Sequence, residues 1–242
     1  MYLVLGAAGS GRREVLADLI EGGLAEGDRP AVLLSDRERA DSADQSLPVI
    51  ARWRPLPEAG IEAEFPLDAT HVFIVVDGRS NPVEQIEAFK AWLAGSAAEV
   101  ARVICVVNCQ LAERHPKLFA WFEACIHFSD VVLLNRREGV SNKWVADFRH
   151  EFDGRFYPCL IEQVSGGQVR NPALVLAPVA RRMSHVFDEQ EWIVEDDDEE
   201  DVQDGDEDEM KPEEDPYLER RSGGRRVREI PDIEDFLLGP PG

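Results

Sequence analysis

Three unbroken apolar runs, each followed by a segment of helical period, limit what this chain can fold into more than any other feature. They are Val72–Val76 (VFIVV), Val103–Val107 (VICVV) and Val131–Leu134 (VVLL). An apolar run without alternation must be covered on both faces, which is the condition of an inner strand of a parallel sheet. Helical patterns follow at about Val83–Leu93, Lys117–Cys125 and Asn142–Phe152. Upstream, Tyr2–Leu5 reads as a strand, and Arg13–Glu26 as a helix with Val15, Leu16, Leu19 and Ile20 on one face. Ala31–Leu34 is a second strand and Val49–Trp53 a weaker third, because arginines and prolines follow it. Right-handed crossovers joining such units give a three-layer α/β domain on a mostly parallel sheet. Pro158–Ile161 reads as an added edge strand, and the domain is expected to end near residue 190, with no internal repeat.

Charge divides the chain again. Of its net −22, the window Asp188–Asp215 holds −17, with 18 acidic residues and a single lysine, Lys211. Such a run cannot bury enough apolar area to offset chain entropy, so 191–242 is expected to be a disordered acidic tail. Its polyanionic character argues against direct nucleic-acid binding by the tail. Beyond it lie a basic patch, Arg220–Arg228, and an apolar end in which Ile230, Ile233, Phe236 and Leu237 recur at helical spacing. Residues 230–238 are therefore expected to anchor a protein partner. The four-residue apolar run before Gly6 is too short for a signal peptide, and nothing approaches a membrane span. Four scattered cysteines do not form a disulfide framework, so a cytoplasmic location is expected. Cys105 and Cys109 read as core residues, and Cys125 with His127 supplies too few ligands for a zinc site.

Gly6-Ala7-Ala8-Gly9-Ser10-Gly11-Arg12-Arg13 joins the first strand to the first helix. Backbone N–H groups at such a turn point toward an anion. The frame is that of a Walker A loop, in which lysine and then serine or threonine follow the last glycine. Here those positions are Arg12 and Arg13. A guanidinium can hold phosphate as a fork, but it cannot ligate magnesium, so Mg2+-dependent hydrolysis is not expected. The turn also fits a dinucleotide-binding Rossmann protein, with Asp36 just past the second strand as the ribose-binding acid. No tyrosine is followed four residues later by lysine, as short-chain dehydrogenase chemistry would require.

Three further segments, His71–Pro82 (HVFIVVDGRSNP), Ile104–Cys109 (ICVVNC) and Ser129–Glu138 (SDVVLLNRRE), stand in order after the glycine turn. Together the four resemble the CobW-like P-loop GTPases over about residues 1–175. The resemblance implies a P-loop fold with GTP as ligand. It places Gly6, Gly9, Ser10, Gly11, Arg12 and Arg13 at the phosphates, Asp77 and Gly78 at the switch, and Asn135 and Glu138 at the base. Several family positions differ: the switch glutamate falls on Val75, and the lysine and aspartate of the guanine-reading element are Arg136 and Glu138. The family's CxCC metal motif is missing, since no cysteine precedes Cys105, and the acidic tail is expected to stand in place of its C-terminal domain; a metallochaperone role is not expected to transfer. The resulting expectation is a degenerate nucleotide-binding domain that does not hydrolyse GTP and has a regulatory or partner-binding role. The alternatives are a slow GTPase, with Arg12 on phosphate and Asp77 on metal, and the Rossmann protein.

Overall fold

The apolar runs become inner strands of one nine-stranded sheet. The computed structural model describes residues 1–57, 60–96, 98–188 and 215–237. The strands are β1 (Tyr2–Leu5), β2 (Pro30–Ser35), β3 (Val49–Leu56), β4 (Gly60–Ala63), β5 (His71–Val75), β6 (Arg102–Asn108), β7 (Val131–Asn135), β8 (Leu160–Ser165) and β9 (Gln168–Val169). Their order is β4-β3-β2-β5-β1-β6-β7-β8-β9, parallel except at the outer pairs β3–β4 and β8–β9. The longer helices are α1 (Arg12–Gly23), α2 (Pro82–Leu93), α3 (Cys109–Arg114), α4 (Phe119–His127) and α5 (Asn142–Asp153). Two short ones, α6 (Pro172–Leu176) and α7 (Glu234–Leu237), come later.

Period-two geometry sorts each buried strand onto two cores. Tyr2, Val4, Val32, Phe73, Val75, Ile104 and Val106 pack with Val15, Leu16 and Leu19 of α1 and with Val175 and Leu176 of α6. Leu3, Leu5, Leu33, Ile74, Val103, Cys105 and Val107 face the other way, onto α2, α4 and α5. The α/β three-layer expectation therefore holds. Among the described residues no helix is long and apolar enough to cross a membrane.

Two strand expectations change. The weak third strand is a full eight residues, because Trp53 buries its ring against Phe89 and donates from Nε1 to the Val75 carbonyl at 2.9 Å. The segment after Pro158 is an inner strand: β8 pairs in parallel with β7, and β9 forms the edge beyond it.

The larger correction concerns the expected tail. Residues 189–214 and 238–242, with most of the acidic run, lie outside the described residues. Residues 215–237 are a strap packed onto the domain. Tyr217 and Ile233 are 2% and 1% exposed and belong to the same core as α2 and α4. Ile230, Phe236 and Leu237, expected to anchor a partner, rest partly buried on that core instead, with Phe236 edge-on to His115. The basic patch binds the domain too: Arg220 and Arg226 both reach Glu87 of α2, at 2.7 and 2.5 Å. Of this segment only Glu234–Leu237 is helical, and its apolar side chains pack on the same chain. At the near end of the strap, His127 Nε2 meets Asp215 Oδ2 at 2.8 Å. Asp188 pairs with Arg182, which also grips the buried Asp130 carboxylate. Both flanks of the acidic run are thus fixed beside the α4–β7 connection.

Two outcomes follow for the strap. Ile233→Ala should lower unfolding free energy by about 2–5 kcal/mol, the usual cost of emptying a buried aliphatic site; a urea midpoint shared with wild type would mean the strap is not part of the core. Burial pushes the Asp215 carboxyl up, but hydrogen bonds with His127, Ser184 and the Tyr217 N–H outweigh this and hold it below its ordinary value. A carboxyl so held stabilises the fold above its unfolded pKa and loses that contribution as pH falls toward the folded one. Asp215→Asn should therefore flatten the acid side of the stability profile, between about pH 5 and pH 2. Profiles of unchanged slope in urea titrations would remove Asp215 from the account.

Candidate functional site

The glycine turn opens at the C-terminal edge of the central strands, where β1 lies between β5 and β6. In open α/β sheets this is where ligands bind. Gly11 takes φ 82° ahead of α1, a conformation only glycine adopts without strain. A side chain there would also run into Asn135 and Glu14. Two amides brace the loop from behind: Asn135 Nδ2 donates to the Ser10 carbonyl at 2.8 Å, and Asn108 Nδ2 to the Gly9 carbonyl at 3.3 Å. The strand ends carrying them are paired in register, Asn108 opposite Asn135. Ser10 is fully buried inside the turn, beside Gly6, and its Oγ has no hydrogen-bond partner among the described residues.

Arg12 and Arg13 are 5% and 7% exposed. The Arg12 guanidinium donates to the Val76 carbonyl and, at 2.5 Å, to Glu38 Oε1. Arg13 donates to Glu38 Oε2 at 2.8 Å and to Asp44 Oδ1 at 2.7 Å. The loop between β2 and β3 brings both carboxylates, Glu38 directly and Asp44 from a 3-10 turn, Ser42–Ser46, closed by a capping box on Asp41. Glu38 Oε1 also accepts from the Gly78 N–H at 3.4 Å. Burial pushes the Glu38 carboxyl up, yet Arg12, Arg13 and that N–H prevail and hold it below its ordinary value, so it is ionised at neutral pH.

Gly78 sits against the turn, its carbonyl accepting from the Ala8 N–H at 2.8 Å. Asp77 is buried beside it and answered by its own loop: Ser80 Oγ donates to Oδ2 at 2.5 Å and the Arg79 N–H to Oδ1 at 3.1 Å. Gln85 locks the Asp77 backbone from both sides. The cavity enclosed by these elements measures about 180 Å³, and its lining includes Gly9, Gly11, Asp77, Arg12, Arg13 and Glu38. Six arginines meet four carboxylates in that lining, a locally positive site on a strongly acidic chain.

Of the residues expected here, Gly6, Gly9, Ser10, Gly11, Arg12, Arg13, Asp77, Gly78 and Asn135 do converge. Glu138 does not: it is exposed, outside the cavity lining, and only its carbonyl is engaged, by Gln110 at 2.7 Å. Arg136 stands nearer, at φ 51°, gripping Glu14 of α1 at 2.8 Å. Asp36 opens onto a separate groove with Trp53 and Phe65, away from the glycine turn, so it is not placed as a ribose ligand. The sequence reading missed Glu38 and Asp44. They stand in a charged stretch, Asp36–Asp44, where alternating signs resemble an ordinary solvated loop. The four cysteines are buried and free, and burial pushes the Cys109 and Cys159 thiols up to about 12, which leaves them protonated.

A methyl group at Gly78 would meet backbone, 2.8 Å from the Ala7 carbonyl carbon and nearer still to the Ala8 nitrogen. Gly78→Ala should therefore cost about 1–3 kcal/mol and push the turn away from the switch loop; an unchanged melting temperature would show that the two do not touch. No family model matches this chain, and neither does any curated protein. Solved structures similar to it include two of YjiA GTPase. One is the zinc-bound YjiA GTPase from E. coli, 16% identical with a TM-score of 0.43, and the other a zinc-bound triple mutant of YjiA GTPase, 15% identical with a TM-score of 0.45. Each comparison covers 74% of this chain, which spans 65% of the other. No residue's role is carried across from either.

Proposed function

We propose that this chain is a degenerate P-loop domain of CobW-like type that binds a phosphate-bearing ligand, GTP among the nucleotides, without hydrolysing it, and that its role is regulatory. One observation supports this most: the two positions after Gly11, where such a loop needs a lysine and a magnesium-ligating hydroxyl, hold guanidiniums already committed to Glu38 and Asp44. Phosphoryl transfer depends on a metal bridging the terminal phosphates and a group that orients the attacking nucleophile. Arg13 has no lone pair for a metal, and Val75 is apolar and wholly buried. Asp77, the carboxylate nearest the expected switch position, is taken up by Ser80 and Arg79.

Binding has separate support. The α1 N-terminus presents backbone donors toward the turn, and the Ser10 Oγ buried within it has no partner among the described residues. The arginines add charge that a phosphate could share as a fork. Base recognition through Asn135 is not part of the proposal, since the residue is buried and its amide nitrogen braces the Ser10 carbonyl. The slow-GTPase reading needs Asp77 to leave its loop. A partner remains part of the proposed regulatory role, through a surface other than the strap's buried face.

Purified protein with GTP and Mg2+ should release phosphate no faster than the uncatalysed background. Pyrophosphate or GTP should still raise the melting temperature through linkage. Gly11→Val should abolish that shift, because the added side chain collides with Asn135 and Glu14. Turnover that disappears in Gly11→Val would overturn the non-hydrolysing reading; no shift with any phosphate compound would overturn binding.

A further inference from the structure

Glu38 occupies the donors that a bound phosphate would need. Its carboxylate accepts from Arg12 and Arg13, and from the Gly78 N–H across the cavity. Two guanidiniums and a backbone N–H around one oxyanion form a ready-made phosphate-oxygen environment. With Glu38 in place the remaining cavity, about 180 Å³, is smaller than the roughly 300–1,000 Å³ that small-molecule sites enclose. A bound phosphate therefore competes with this carboxylate for the same donors.

The loop bearing Glu38 is fastened to α1 through the same atoms. Among the described residues, its side-chain ties to that helix are three ion pairs: Arg12–Glu38, Arg13–Glu38 and Arg13–Asp44. Its other anchors are Arg37, which stands 3.8 Å from the Asp77 carboxylate and 3.5 Å from Ser80 Oγ, and the sheet, where Arg52 donates to the Ser35 and Glu38 carbonyls at 2.9 and 3.3 Å and the Asp36 N–H to the Trp53 carbonyl at 2.8 Å. Those leave the base of the loop fixed when the ion pairs break.

We infer that Glu38 is the site's built-in anionic ligand, and that a phosphate-type anion binds the glycine turn by displacing it, releasing residues 38–46 from α1. This inference rests on the anion-binding reading above. Ligand occupancy and loop release are then one equilibrium. Whatever holds the loop down weakens the ligand, and the ligand weakens the hold of the loop by the same factor. The loop becomes the output of the site, and hydrolysis is not needed to work it.

The test uses the full chain in phosphate-free buffer, with pyrophosphate as probe, by titration calorimetry and hydrogen exchange. Glu38→Gln removes the competing charge and should bind pyrophosphate at least tenfold more tightly than wild type. In wild type, saturating pyrophosphate should speed amide exchange in residues 38–46 while leaving β2 and β3 unchanged. Equal or weaker binding by a folded Glu38→Gln, with wild type binding, would overturn displacement and leave the anion site standing. If neither protein binds, both the inference and the reading beneath it fall. Should Glu38→Gln not fold, the exchange experiment on wild type decides, and slowed exchange at 38–46 overturns the inference.

Discussion

Two adjacent guanidiniums in the first turn of α1, both nearly excluded from solvent, set the arrangement of everything around the glycine turn. A buried charge without a partner costs several kcal/mol, and the N-terminus of a helix is the wrong end for a cation. Both problems are answered by the same two carboxylates. Glu38 and Asp44 pull the β2–β3 loop across the mouth of the turn, and the Val76 carbonyl takes up the rest of Arg12. A lysine and a threonine would make no such demand, because neither carries a planar fork that has to be satisfied in several directions at once. The two arginines at these positions thereby create the closure of the site.

The opposite side of the molecule follows the same logic of committed partners. The strap adds Tyr217 and Ile233 to the core that α2 and α4 share. Ion pairs from Arg220 and Arg226 to Glu87, and the 2.8 Å contact between His127 and Asp215, fix its course. The acidic run is tied at both flanks to the α4–β7 connection, on the side of the sheet where β7 begins. The glycine turn lies at the strands' other ends.

The layered α/β fold was legible because unbroken apolar runs have few other solutions, and the glycine turn because its spacing is a local property. What escaped was ionic and distant in sequence. Glu38 lies 26 residues from Arg12, and nothing in a charged loop marks which carboxylate will reach back to α1. Ile233 and Phe236 showed their apolar face through helical spacing, but spacing identifies a face without its partner, and this partner lay on the other side of the acidic run. Glu138 was placed by analogy of position. The left-handed backbone at Arg136 and the pull of Glu14 turn that loop so that arginine stands nearest the turn.

The account stands on the coupling between Arg12 and Glu38. A double-mutant cycle on unfolding free energy, using Arg12→Met, Glu38→Gln and the double variant, measures it directly. Residues that share a buried ion pair show coupling of about 0.5–3 kcal/mol, and the account predicts a stabilising value of at least about 1 kcal/mol. Additive effects, within about 0.3 kcal/mol, would mean that Glu38 does not hold the arginine, and the closed glycine turn would lose its explanation.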